Sequence, residues 1–194
     1  GDQNAFDING KYNFKDTTGT AMDIAVAADR LNLNLIEPYV KTIFSELNGV
    51  ATGNIRLYGG KDNMYIVGPA TISNGSALVV FTQCKYLFNR QKINFGKDLI
   101  EINGLQLTDT LGNSGVVSGK IKHHFFRDFA FENVRMETSK MLLLNTTKKD
   151  NNQFYGTVIG NALLTLEGPL SDMVMNISGQ PSALDSSHIY LPTT

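Results

Sequence analysis

The chain has 194 residues and a formal net charge of −1, from 17 Lys and Arg against 18 Asp and Glu in no long run, a balance that argues against nucleic acid as a partner. Charged residues make up only 18%, Trp is absent, and 18 Gly stand against 5 Pro, which fits many short strands joined by tight turns. The single Cys84 rules out an intramolecular disulfide and a Cys-based zinc cluster, and is expected to be a small buried hydrophobe.

No apolar run approaches the roughly 20 residues of a transmembrane helix, and no signal peptide opens these residues. From Ala5 to Phe14 the pattern alternates, with Phe6, Ile8, Tyr12 and Phe14 on one face and Asp7, Asn9, Lys11 and Asn13 on the other, a half-buried strand. A turn at residues 16–20 leads into a second strand of small residues over 21–27.

One amphipathic helix is expected over 34–48, capping or packing on a sheet. Asn34-Leu-Ile-Glu37 has capping-box form, and Ile36, Val40, Ile43, Phe44 and Leu47 then fall on one stripe. Asn48-Gly49 ends it.

Beyond Gly49 the two-residue period takes over. Strands are expected near 50–58, 63–67, 70–73, 76–82, 85–88, 91–95, 99–103, 105–109, 115–123, 127–132, 134–138, 140–144, 154–167 and 172–178, with Ile189-Tyr-Leu as a further edge strand. Punctuation such as Gly59-Gly60, Gly68-Pro69, Asn74-Gly75, Asn103-Gly104 and Gly168-Pro169 sets those limits. The tail from Gln180 to Ser187 reads as the loosest stretch. The fold class is all-β.

A repeat runs through this pattern. Gly49-Val-Ala-Thr-Gly53-Asn, a strand to Gly59, a loop with Asp62 and a second strand to Gly68 return as Gly156-Thr-Val-Ile-Gly160-Asn, a strand to Gly168, a loop and Asp172 to Gly179. Reuse of one strand–loop–strand unit points to an extended, stackable sheet.

The apolar side of this alternation carries the chemical content. Ile55 and Leu57, Val79 and Phe81, Ile93 and Phe95, Leu105 and Leu107, Val117 and Ile121, Phe129 and Phe131, and Ala162, Leu164 and Leu166 each alternate with polar neighbours. A closed sandwich buries such faces against each other, whereas a curved half-pipe leaves them lining an apolar groove. These residues are the candidate binding surface, expected to take an apolar ligand or to pair two copies through the open groove.

Catalytic chemistry finds no foothold. His123 and His124 are strand neighbours that point to opposite faces, and both read as a solvated strand end. His188 lies in the loose tail with no partner in reach. Asp98 with Glu101, or Asp109 with Asp128, read as solvated loop acids. Neither a nucleophile elbow nor a phosphate-binding loop occurs, so the chain is read as a non-enzyme that needs no cofactor and no metal. Asn145 to Asn152 reads as a shaped polar connection with a solvated Lys148-Lys149 pair.

Several segments resemble the bacterial TamB family of translocation and assembly module proteins, in the AsmA-like group. They are LNGVATGNIRLYG from Leu47, LQLTDTLGNSGVVSGKIKHHFFRDFAFENV from Leu105, LLLNTTKKDNNQFYGTVIGNALLTLEGPLSDM from Leu142, and HIYLP from His188. The resemblance implies a folded-over sheet, or β-taco, and residues 1–194 as one segment of a longer repeat protein. It further implies a periplasmic location in the cell envelope and an inner-membrane anchor on the full-length protein. Phospholipid movement between the two membranes, support of outer-membrane protein assembly and a TamA-like barrel partner follow from it too. Opening on Gly1 rather than Met agrees with an anchor or export signal lying outside these residues. Two other readings stand beside it: a scaffold that templates nascent barrel strands by edge pairing, and a secreted carbohydrate-binding or adhesive β-domain.

Overall fold

The computed structural model describes residues 6–15, 21–60, 64–124 and 127–191. The expected turn at 16–20 and the loop at 61–63 lie outside them. In chain order the strands are β1 (Phe6–Tyr12), β2 (Met22–Asn32), β3 (Phe44–Gly59), β4 (Met64–Val79), β5 (Cys84–Phe88) and β6 (Gln91–Gly96). They continue as β7 (Leu99–Asp109), β8 (Ser114–His124), β9 (Arg127–Thr146), β10 (Tyr155–Pro169), β11 (Val174–Pro181) and β12 (His188–Tyr190). Two 3-10 turns, Leu33–Leu35 and Leu170–Asp172, and one helical turn, α1 (Glu37–Val40), complete the described elements.

These twelve strands form one antiparallel sheet in the order β1-β2-β3-β4-β5-β7-β8-β9-β10-β11. The short β6 joins β4 to β7 alongside β5, and β12 adds to β10. Each long strand thus pairs with its neighbour in sequence, as short turns dictate.

The strands are fewer and longer than the punctuation suggests. The expected segments 63–67, 70–73 and 76–82 merge into β4, those at 99–103 and 105–109 into β7, and those at 127–132, 134–138 and 140–144 into β9. Asn74, Gly104 and Asn133 take φ of 51°, 67° and 50°, and the pairing slips beside each of them and then resumes. Turn-type residues in the left-handed region therefore mark β-bulges, which add one residue and a local twist without ending the strand.

The expected helix over 34–48 reduces to the turn Glu37–Val40, and β3 already begins at Phe44. The expected cap at Asn34 does not form: Ile36 precedes the helical turn with no side-chain cap, and the Asn32 side chain instead caps the 3-10 turn Leu33–Leu35, accepting from the Asn34 N–H at 3.1 Å. The Glu37 carboxylate accepts from the Leu47 N–H at 2.9 Å instead of reaching back to a cap. Thr42-Ile-Phe44 favours extended backbone, and Phe44 finds a ladder partner in Val79. The stripe still enters the core: Val40 and Leu47 are buried, with Ile36, Ile43 and Phe44 packed against them.

Two apolar clusters hold the sheet. One joins Leu33, Val40 and Leu47 to Ala51, Ile72 and Ala77 and to Ile121, Phe129, Phe131 and Val134. The other joins Cys84 and Tyr86 of β5 to Met136, Met141 and Leu142 of β9. In a flat sheet β5 and β9 would stand about 14 Å apart, three spacings of nearly 4.8 Å. Yet the Tyr86 hydroxyl donates to the Leu142 carbonyl at 2.9 Å, and the Asn145 N–H donates to the Thr82 carbonyl at 2.8 Å. β9 runs on past the β7–β8 turn and closes against β5.

The repeat survives as two hairpins, β3–β4 and β10–β11. Gly49 and Gly156 have φ of 121° and 148°, a region costly to residues with a Cβ. Gly53 and Gly160 lie so close to the next strand that a Cβ would clash with the carbonyl oxygen of Pro69 or of Gln180. Equivalent glycines do equivalent work. The tail expected to be loose is pinned: Ser187 Oγ accepts from the Ile159 N–H at 3.0 Å, and Lys140 pairs with Asp185 at 2.8 Å.

Candidate apolar binding face

Residues paired across an antiparallel sheet share a face, so the register decides whether the alternating apolar residues form one surface. They do. Ile8 pairs with Val26 and Val26 with Ile55, while Ile24 pairs with Leu57 and Leu57 with Ile66. Farther along, Ala70 pairs with Ile93 and Ile93 with Ile102. Phe95 pairs with Ile100, Ile100 with Ile121 and Ile121 with Phe131. A last row runs Leu105, Val117, Met136, Leu164 and Ile177. The apolar side is continuous from β1 to β11.

The fifteen candidate residues divide by exposure. Leu105, Ile121, Phe129, Phe131 and Ala162 are buried by the protein's own packing and serve as core. Ile55, Leu57, Val79, Ile93, Phe95, Leu107, Val117, Leu164 and Leu166 are half-buried. Phe81 stands apart, in the turn between β4 and β5, 44% exposed with its ring 6.0 Å from that of Phe154. The face opens toward the two ends of the strand order: Ile8 on β1 and Ile177 on β11 are 60% and 62% exposed. Neither was among the fifteen candidates, although the sequence placed Ile8 on the apolar face of its strand and the alternation around Ile177 carries the same signal.

Along β1 to β3 the opposite side carries Asp7, Asn9, Lys11, Asp23, Asn54 and Arg56. Asp23 and Arg56 form a bidentate pair there, with contacts of 2.7 Å to Nε and 2.6 Å to Nη2, and the guanidinium lies 5.2 Å from the Tyr58 ring. The arginine, acting mainly through these hydrogen bonds, holds the Asp23 carboxyl below its usual range. Next to it a shallow depression of about 390 Å³ is floored by Ala25 and Ala27 and rimmed by Asp7, Asn9 and Asn54.

Two titratable groups differ from the sequence expectation. Asp109 is buried rather than solvated. Its carboxylate accepts from the Leu111 and Asn113 N–H groups at 2.9 and 2.8 Å, from the Asn113 side-chain amide at 2.9 Å, and from the Leu142 N–H at 2.7 Å. Burial alone would raise its pKa, but those four donors overturn this and hold it below the ordinary carboxylate range. Asp128 lies on β9 at φ of 49°, exposed, and shares none of these contacts.

His123 is likewise buried, its ring 6.2 Å from Phe129, while its neighbour His124 is exposed 4.0 Å from Asp98. Burial lowers the His123 pKa against the opposing pull of Asp98. The two imidazoles do leave the strand on opposite faces. His188, expected to lack a partner, sits on β12 with its ring 5.3 Å from Tyr190. Cys84 is fully buried, and desolvation pushes its thiol up to about 11.

The connection after the leucine run is held from within, as its composition suggests: Asp150 accepts from both the N–H and the hydroxyl of Thr147, each at 2.7 Å. Among the described residues no group of three or more His, Cys, Asp or Glu is placed to hold a metal ion. No described helix is long and apolar enough to cross a membrane. No family model, curated protein or solved structure matches this chain.

Proposed function

We propose that this chain is a segment of a TamB-like envelope protein whose apolar sheet face shields phospholipid acyl chains as they pass between two membranes. The continuity of that face through the register, with half-buried residues from β2 to β10 and exposed ones at both ends, is the observation that supports the reading. Hydrocarbon leaving a bilayer costs roughly 0.8 kcal/mol per CH₂ exposed to water. An apolar strip that runs across many strands can cover an acyl chain at every step. Non-directional contacts let the cargo slide, since no strong polar bond must break. In this reading the sheet curves into a groove, the periplasm is its location, and outer-membrane protein assembly with a TamA-like barrel partner is a task of the full-length protein.

Delipidated protein offered phosphatidylglycerol or phosphatidylethanolamine should take up lipid, read by native mass spectrometry. Ile55→Asp and Leu164→Asp should each reduce uptake at least about tenfold while circular dichroism shows the sheet intact. Uptake that is absent in the wild type, or equal in all three proteins, sinks the proposal. The edges of β1 and β11, which no described strand pairs, favour a second reading, in which they template nascent barrel strands. Crosslinks to an unfolded barrel protein from edge positions, with none from Phe95 or Leu107, would select it.

A further inference from the structure

β1 pairs with β2 along one side only, and among the described residues nothing pairs with its other side. Such an edge presents a row of main-chain N–H and C=O groups that invites another strand. No proline interrupts it. From this edge we propose that β1 is a self-association site, at which two copies of the chain pair β1 against β1 about a two-fold axis through Asn9.

Register and charge choose this arrangement. A two-fold axis normal to the sheet makes the new pair antiparallel and keeps the apolar sides of both sheets on one side, provided that residues of the same face stand opposite each other. Asp7, Asn9 and Lys11 share the polar face, in register with Ala27, Ala25 and Asp23 of β2, whereas Ile8 and Gly10 share the apolar one. With Asn9 opposite Asn9 of the second copy, Asp7 falls opposite Lys11 of the second copy, and the pair occurs twice. Ile8 then falls opposite Gly10, whose missing side chain leaves room for it. Centring on Ile8 would set Asp7 against Asn9, and centring on Gly10 would set Asn9 against Lys11, with no opposite charges facing in either case. Asp23, the acid in register with Lys11, has both carboxylate oxygens engaged by Arg56. The other terminal strand lacks this code: Asn176, Ser178 and Gln180 of β11 are uncharged. Pairing at β1 would also cover Ile8, which is 60% exposed, and join two apolar faces into one.

The test uses the full chain in sedimentation over a concentration series. Wild type is expected to dimerise, and Asp7→Lys and Lys11→Asp should each weaken the dimer by about tenfold or more, because like charges then face each other. The double variant Asp7→Lys/Lys11→Asp should recover it. Oxidation of Asn9→Cys should give a covalent dimer, since directly opposed residues have Cα atoms about 4.5–5.5 Å apart, within disulfide reach. Asp7→Cys and Lys11→Cys should not, because identical positions are then about 14 Å apart along the strands. Cys84 is fully buried and adds no crosslink of its own. A protein that stays monomeric at every concentration overturns the proposal. So does a dimer indifferent to the single charge swaps, which would place the contact elsewhere, or equal crosslinking at positions 7, 9 and 11. Each outcome is independent of whether the apolar face binds lipid.

Discussion

The corner where β9 meets β5 and the end formed by β1 to β3 are built from the same alternation, yet one is sealed and the other open. At the corner, Met141 and Cys84 have no exposed surface, Tyr86 is hydrogen-bonded across to Leu142, and the Asp109 carboxylate collects four donors. At the open end Ile24, Val26, Ile55 and Leu57 stay half-buried, and the prominent polar contact is the exposed Asp23–Arg56 pair. The difference is a second layer. β9 extends past its neighbour and lays its last residues on β5, whereas the turns after β2 pack Leu33 and Val40 beside Leu47 and Ala51 of β3, and Ile24, Val26, Ile55 and Leu57 join neither apolar cluster. Apolar alternation selects a face; an overlying segment decides whether that face becomes core or surface.

That contrast can be broken most directly at Asp109. Asp109→Ala would take the acceptor from the buried Leu142 N–H and from the part-buried Leu111 and Asn113 N–H groups, and should cost about 3 kcal/mol in denaturant unfolding. A loss no greater than that of an ordinary surface substitution would show that the corner does not depend on this carboxylate. The same group makes stability depend on pH. Its folded pKa lies below the unfolded value of about 3.9, so its stabilisation is complete above that value and drains away as pH falls through and below it. Asp109→Asn should therefore flatten the acid limb of the stability curve below about pH 4, leaving the contribution of other carboxylates such as Asp150 and Asp185 in place.

A smaller effect is expected at Tyr86. Tyr86→Phe removes one buried hydroxyl and leaves the Leu142 carbonyl unmet, for about 1 kcal/mol and no change in fold. Smallest of all should be Arg56→Gln at the open end, which is expected to leave the thermal midpoint unmoved, since both partners are more than half exposed and solvent screens them. A clear drop there would mean that the exposed pair bears structural weight, and the contrast between the two regions would have to be redrawn.

Much of the architecture was legible. Period-two alternation located the strands from Phe6 onward, and the glycine repeat correctly announced two like hairpins, because close strand approach at Gly53 and Gly160 admits no side chain. The turn signals at Asn74 and Gly104 misled for a reason of geometry: a residue at positive φ serves a bulge as readily as a turn, and only a partner strand decides which. The 34–48 stripe misled in the same way. Its spacing fitted a helix, yet the hydrogen bonds offered by β4 drew Phe44 onward into a strand, while the apolar residues kept their place in the core.

For the candidate face, the sequence could name the residues but could not rank their exposure. Leu105 and Leu107 look alike in the pattern, and the structure buries the first more deeply than the second. Asp109 and His123 likewise read as surface groups, since nothing local reveals that Leu142 and Phe129, some 33 and 6 residues later, will pack beside them.

What the residues determined by themselves is the all-β character, the side on which apolar groups lie and the positions where only glycine fits, because these follow from local sterics and from a period that the backbone imposes. The tertiary structure alone decided which strands run through their bulges, which acid is buried, and which stretch of the apolar side is covered. Those outcomes depend on contacts between segments far apart in the chain, and no local pattern encodes a distant neighbour.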